Sequence, residues 1–155
     1  KAVALFEKFG VFTRAELESR AEISYENYAK AINIEARTMI DMTRKQFLPA
    51  IIKYTKTLAD TVNAVKEAGA DAGVQSETLS EITVFLKEAR AALMELEKVT
   101  AEVSELPDGE EKARKYYEVV HPAMDALRKP VDELEMVVDK EAWPMPSYGD
   151  LIFEV

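Results

Sequence analysis

The sequence predicts an all-α fold, and three observations support that prediction. Glycine is scarce among the 155 residues, and nearly a third of them are charged, as in soluble helical proteins. Apolar residues recur in steps of three and four along three long stretches, which is the spacing of one face of a helix. Short turns separate these stretches, and short turns make successive helices antiparallel. We therefore expect a single domain, residues 1–155, built as an antiparallel bundle of three long helices with a non-helical aromatic tail.

The N-terminal residues predict the end of one helix and the start of another. Residues 1–9 have a helical pattern, and Gly10 follows at the position where a left-handed residue commonly ends a helix. Thr13 is expected to cap the next helix, and Glu16 completes a capping box three residues later. The chain begins with Lys1 and not with methionine, which we interpret as a cut inside a longer protein.

The first long helix is predicted over about residues 13–68. Its apolar and small residues keep one phase on both sides of Pro49, and the polar Thr43 interrupts them once. Because proline lacks the backbone donor, we expect a continuous helix that is kinked near Pro49. This helix is much longer than its partners, so either one end extends beyond the bundle or the part after Pro49 folds back as a fourth helix. The stripe consists of Leu17, Ala21, Tyr25, Tyr28, Ile32, Ala36, Met39, Phe47, Ile51, Tyr54, Leu58, Val62 and Val65.

The second and third long helices show heptad-like apolar spacing. The second is predicted over about residues 76–105 and the third over about 109–140, with Asp108 as the cap of the third. Pro122 and Pro130 interrupt the hydrogen bonding of the third helix and should bend it. The second stripe consists of Leu79, Ile82, Leu86, Ala89, Leu93, Leu96, Thr100 and Val103, and the third of Ala113, Tyr117, Val120, Met124, Leu127, Val131, Leu134 and Val138.

The tail, residues 143–155, is predicted to be non-helical, because Pro144 and Pro146 each lack a backbone donor and fix φ. It nevertheless carries more apolar surface than a solvated tail would. We therefore expect it to dock, either along the bundle or on another part of a larger protein. The candidate docking residues are Trp143, Pro144, Pro146, Tyr148, Leu151 and Phe153.

Charge and composition exclude several classes of function. The net charge of −9 argues against nucleic acid and against anionic membranes as partners, because both repel an acidic surface. No apolar run is long enough to predict a membrane span. The chain has no cysteine, which rules out disulfides and thiolate metal sites within it and fits a reducing compartment.

No set of residues in the sequence predicts catalysis. Glu118 and His121 have the spacing of two metal ligands on one helix face, but such a site needs a second motif and His121 is the only histidine. We therefore interpret His121 as a structural or surface residue. Glu35 and Asp41 flank the first stripe and are expected to form partly buried ion pairs. There is no glycine-rich phosphate loop and no Ser/His/Asp set, so we predict no catalytic, cofactor or metal residue in this chain.

Three stretches resemble type III glutamine synthetases: residues 143–153 (WPMPSYGDLIF), residues 28–42 (YAKAINIEARTMIDM) and the lead-in at residues 5–20. The order and spacing of these stretches run the length of the chain. The resemblance implies the C-terminal helical domain of a cytoplasmic enzyme that condenses glutamate with ammonia, using ATP and Mg²⁺ or Mn²⁺. The implied partners are the catalytic domain of the same chain and other subunits of a homo-oligomer. No metal, ATP or glutamate residue of the family maps onto this chain, so the segment alone is expected to be inactive.

Two other classes of function remain as alternatives. A free-standing scaffold or adaptor bundle would bind partner helices on its apolar faces. A lipid-surface helix protein would need a basic face, which the charge of the chain disfavours. The sequence upstream of Lys1 would separate the first alternative from the glutamine synthetase domain, because a catalytic domain there would decide for the enzyme.

Overall fold

The computed structural model describes residues 2–146 and 148–153, apart from the side chains at positions 148, 149 and 153. These residues are helical or lie in turns, without a strand, so the predicted all-α class is confirmed. Two π-helical segments, Thr43–Phe47 and Tyr116–Val120, join α2 to α3 and α5 to α6. The α-helices are α1 (Ala2–Lys8), α2 (Arg14–Met42), α3 (Leu48–Glu67), α4 (Gly73–Ser104), α5 (Glu110–Lys115), α6 (His121–Val137) and α7 (Tyr148–Phe153).

The start of α2 has the capping box that the sequence predicts. The Glu16 backbone N–H donates to Thr13 Oγ1 at 3.3 Å, and the Thr13 backbone N–H donates to Glu16 Oε2 at 2.8 Å. These two hydrogen bonds from Thr13, first backbone and then side chain, hold the pKa of the Glu16 carboxyl below its usual value. Gly10 has φ of 63°, which is the left-handed conformation expected where α1 ends.

The prediction that the first stripe passes Pro49 without a change of phase is wrong. Leu48 donates its backbone N–H to the carbonyl of Thr43, five residues earlier, and Pro49 follows in the first turn of α3. Because Pro49 cannot donate and its ring crowds the preceding turn, the wider π turn leaves room for it. The buried positions consequently run from Thr43 to Leu48 and Ile51, while Phe47 is only half-buried.

The same device occurs before Pro122 and corrects the third stripe. His121 donates its backbone N–H to the carbonyl of Tyr116, again five residues earlier. The π turn rotates the residues around it, so Tyr116 is 1% exposed while Tyr117 is 65% exposed. The prediction that Tyr117 belongs to the core is therefore wrong, and Tyr116 takes that place.

Three helix boundaries differ from the prediction. α4 begins at Gly73 and not near 76, because the side chain of Asp71 accepts the Gly73 backbone N–H at 3.1 Å and shapes the turn before the helix. Asp108 does not cap α5; it pairs with Lys112 at 3.0 Å, and Gly109 occupies the cap position. α6 ends at Val137, because the next residue is extended.

The core is built around α4, which packs against α2, α3 and α6. Its residues Ile82, Ala89, Leu93 and Leu96 are fully buried, and so are Ile51 of α3 and Leu127 and Leu134 of α6. Arg44, in the first π segment, donates to Glu97 of α4 at 2.8 Å and ties the π segment to α4 at the surface of the domain.

The N-terminal end of the chain extends beyond this core. No side chain from residues 2–28 is buried, and Ala29 is the first buried residue along the chain. We call residues 2–28, which comprise α1, the Gly10 turn and the first half of α2, the N-terminal hairpin. α2, the first π segment and α3 are continuous, and α3 packs on α4. The end of this long helix that extends beyond the core is therefore the N-terminal end.

Candidate docking surface

Trp143, the largest side chain of the predicted tail, lies against the first long helix. Its ring stacks on Phe47 with 5.1 Å between ring centres and an angle of 24° between planes. Phe47 can stack on Trp143 because the π turn rotates it away from the line of buried residues that contains Thr43 and Leu48. Trp143 remains half-buried, so one part of its ring still faces solvent.

A tight turn after α6 positions Trp143. The backbone carbonyl of Asp139 accepts the N–H groups of Ala142 and Trp143 at 2.9 and 3.0 Å. The carboxylate of Asp139 accepts the Glu141 N–H at 2.7 Å, which is the bond of an Asx turn. The sequence reasoning missed this turn, although an aspartate directly after an apolar helix end is a signal for it.

The tail, α2 with the π segment that follows it, and α6 border an apolar groove of about 390 Å³, which we call the tail groove. Trp143, Pro146 and Leu151 of the predicted docking residues line it, but Pro144 does not. Pro144 instead lines a second groove beside Lys45 and Lys53. The other apolar residues of the tail groove are Met39, Met42, Phe47, Leu127, Val131 and Met145.

The prediction of a wholly non-helical tail is wrong. Residues 143–146 are non-helical, but α7 begins at Tyr148. A proline restricts its own φ and the residue before it, so residues that follow Pro146 keep their donors and can form a helical turn. Asp150 of α7 pairs with Lys140 in the turn after α6, which ties α7 to that turn. The side chains of Tyr148 and Phe153, also predicted to dock, lie outside the described part of the structure.

Comparison with known proteins gives a family for this arrangement. The family model of the glutamine synthetase C-terminal domain matches residues 1–66. A glutamine synthetase of Butyrivibrio fibrisolvens is 31% identical over 100% of the chain, and a type-3 glutamine synthetase of Dictyostelium discoideum is 32% identical over 99% of it. A third, from Bacteroides fragilis (strain YCH46), is 26% identical over 99%.

The chain belongs to the glutamine synthetase C-terminal domain family. It spans 22% of the length of each of these three curated relatives. The residues that match the family model include the N-terminal hairpin and nearly all of the first long helix. The tail lies outside that match, but the three relatives align with it because their similarity covers 99–100% of the chain.

The tail groove of this glutamine synthetase C-terminal domain is suited to apolar packing. Its wall is mostly apolar side chains, while Arg128 and Asp132 pair with each other at 3.2 Å at its edge.

Within residues 2–146 and 148–153, no helix combines the length and the apolar composition that a membrane span requires. The same residues contain no group of three or more His, Asp and Glu side chains arranged to hold a metal ion.

The other polar residues singled out in the sequence lie on the surface of the domain. His121 is exposed and its Nδ1 lies 3.5 Å from Asp125, while Glu118 is exposed as well. The expectation of partly buried ion pairs is wrong for Glu35 and Asp41, because both are exposed; Asp41 pairs with Lys45 one turn later. None of these groups faces the tail groove.

We expect Trp143→Ala to lower the free energy of unfolding by about 2 kcal/mol. A fully buried Trp→Ala change costs roughly 3–5 kcal/mol, and the ring here is half-buried. Phe47→Ala should cost a similar amount, and a double-mutant cycle should give a coupling of about 0.5–1.5 kcal/mol for the stacked pair. Urea unfolding of the four proteins measures these values. Strictly additive single changes would mean that the stack contributes nothing beyond separate packing.

Proposed function

We propose that this chain is the helical C-terminal domain of a type III glutamine synthetase, and that the whole enzyme condenses glutamate with ammonia at the expense of ATP. The observation that carries the proposal is similarity over 99–100% of the chain to proteins named glutamine synthetase, one of them of type 3. ATP and Mg²⁺ or Mn²⁺ would be used by other parts of that enzyme, which acts in the cytoplasm.

Within this enzyme the domain has a structural role in assembly and no catalytic role. The tail groove supports this, because its lining is mostly apolar and two of its charged residues, Arg128 and Asp132, pair with each other. The partners of the domain are the catalytic part of the same polypeptide and the other subunits of a homo-oligomer.

The domain architecture in this proposal is an up-down-up bundle of helices 14–67, 73–104 and 110–137. The turns between them are short, which favours antiparallel neighbours. α4 packs against helices of both other segments, as the central member of such a bundle does. The tail then links the first and third long helices at the tail groove, where Trp143 stacks on Phe47 and Leu151 lines the same groove as Leu127.

We expect ATP, Mn²⁺ and glutamate, singly or together, to change the melting temperature of the 155-residue chain by less than about 1 °C. A ligand at 100 times its dissociation constant adds roughly 2.7 kcal/mol, which would raise the melting temperature of a domain of this size by about 5–10 °C. Differential scanning calorimetry with each ligand at millimolar concentration makes the measurement. The longer polypeptide that carries this segment is the positive control, and it should form glutamine. Glutamine formation by the 155-residue chain alone would contradict the structural role.

A further inference from the structure

The N-terminal hairpin carries apolar surface that nothing in the structure covers. Leu5, Phe9 and Val11 are each more than half exposed, and Phe9 is 69% exposed. Leu5 and Phe9 are four residues apart in and just after α1, so they lie on the same face of that helix. We call these three residues the hairpin patch. An exposed apolar patch of this kind commonly marks an interaction site.

The hairpin is internally ordered, so the patch is held in place. Phe6 packs edge-on against Phe12 at 5.9 Å between ring centres, and the Arg20 guanidinium lies 4.6 Å from the centre of the Phe12 ring. The Arg14 backbone N–H donates to the Glu7 carboxylate at 3.2 Å. These contacts fasten α1 to α2 through one set of side chains and leave the hairpin patch on the outside.

We propose that the hairpin patch docks on the remaining part of the longer glutamine synthetase polypeptide. This inference rests on the proposed function and names the surface through which the domain meets the rest of the enzyme. The chain spans 22% of the length of its relatives, and the hairpin lies inside the residues that match the family model. The complementary surface is apolar and bordered by a carboxylate, because Lys8 Nζ lies 5.9 Å from the ring centre of Phe9.

The size of the hairpin patch favours a covalently linked partner over a second copy of the chain. Its three side chains, each more than half exposed, offer roughly 300 Å² of apolar surface to a partner. A stable interface between separate molecules buries about 1,200–2,000 Å², counted over both partners. A linked partner is present at an effective concentration in the millimolar range, so a small patch is sufficient to hold it. The patch is too small for free association and large enough for docking within one polypeptide.

Thiol labelling tests this docking, because the chain has no native cysteine. Val11→Cys keeps Leu5 and Phe9 and places one thiol in the hairpin patch. Val74→Cys places a control thiol in α4, where the native side chain is 74% exposed. Maleimide labelling of each variant, read by peptide mass spectrometry, is compared between the 155-residue chain and the longer enzyme. We expect at least about tenfold slower labelling at position 11 in the longer enzyme and equal rates for the control.

A second substitution measures the contribution of Phe9. In the longer enzyme, Phe9→Ser added to Val11→Cys should return the labelling rate to that of the 155-residue chain, because loss of a docking hot spot weakens docking by about 30-fold or more. Val74→Ser should leave the labelling rate at position 11 unchanged. Phe9→Ser should also leave the melting temperature of the 155-residue chain within about 1 °C.

Three results would overturn the docking surface. The first is equal labelling of Val11→Cys in the chain and in the longer enzyme. The second is protection of that thiol in the 155-residue chain that grows with protein concentration, because a second copy would then be the occupant. The third is a loss of several degrees in the melting temperature of the chain with Phe9→Ser, which would make Phe9 an internal support of the hairpin. Glutamine formation by the unlabelled longer enzyme reports on the proposed function separately.

Discussion

Replacing Tyr116 with alanine is expected to lower the free energy of unfolding by about 3–5 kcal/mol, as for other buried aromatic residues. The same change at the adjacent Tyr117 should cost less than about 0.5 kcal/mol, as for surface residues. The two tyrosines differ in exposure, 1% against 65%, because the π turn at Tyr116–Val120 rotates the first inward and the second outward. Urea unfolding of both variants at neutral pH makes the measurement.

Tyr116→Phe separates the ring from the hydroxyl. It should keep most of the stability at neutral pH, since the ring fills the same space. Burial raises the pKa of the Tyr116 hydroxyl, so the folded protein holds this proton more tightly than the unfolded chain. The stability from this group is complete below the unfolded pKa of about 10 and falls as the pH rises beyond it. Tyr116→Phe should therefore flatten part of the alkaline loss, and equal effects of alanine at positions 116 and 117 would contradict the assignment of Tyr116 to the core.

Leu96→Ala is expected to lower the free energy of unfolding by about 2–5 kcal/mol. The change leaves a cavity on α4, the helix that packs against α2, α3 and α6. Leu96 is fully buried in α4, and Met94, two residues earlier in the same helix, is more than half exposed. Met94→Ala is therefore the matched control and should cost less than about 0.5 kcal/mol. Denaturant midpoints compared at equal m-values give both numbers.

A volume-conserving change provides a second control for Leu96. Leu96→Met should cost less than about 1.5 kcal/mol, because a methionine can fill most of the same space. A Leu96→Ala cost as small as that of Met94→Ala would mean that the centre of α4 collapses around the cavity or is not packed as the structure has it.

The local signals in the sequence predicted the parts of the fold that depend on neighbouring residues. The Thr13 and Glu16 capping box and the left-handed Gly10 are formed as expected. The apolar spacing of the second long helix also predicted its buried face, including Leu93 and Leu96. Each of these features follows from residue types at a fixed short distance along the chain, so it can be recognised without knowledge of the tertiary structure.

The two π turns could not be derived from the same spacing. Steps of three and four assume 3.6 residues per turn, and the stripe of the third helix fits Tyr117 as well as Tyr116 under that assumption. The sequence signal for these wider turns is the proline that follows each of them, Pro49 and Pro122. In each case the residue directly before the proline donates its backbone N–H to a carbonyl five positions earlier. Pro130, by contrast, lies inside α6 without a π turn, so a proline within an apolar stripe does not by itself determine whether the phase changes.

The candidate docking residues were predicted from composition, and composition does not define a partner. Trp143 stands out by size and by the adjoining Pro144, but its contact with Phe47 depends on the Asp139 turn and on a π turn about a hundred residues away. Pro144 lines a different groove from Pro146, a difference that two prolines separated by one residue in a sequence do not reveal. The hairpin patch was not predicted, because its residues match a helix pattern and only the structure reveals that nothing covers them.

The π turn at Thr43–Phe47 also determines whether Trp143 of the tail has a ring to stack on. A π turn contains about one residue more than the α turn that it replaces. A regular α-helical repeat through this segment would place Phe47, four residues after the buried Thr43, at the inward position that Leu48 now fills. Trp143 would then have no ring to stack on, although the tail itself would be unaltered. The one extra residue of this π turn thus provides the anchor for a segment at the opposite end of the chain.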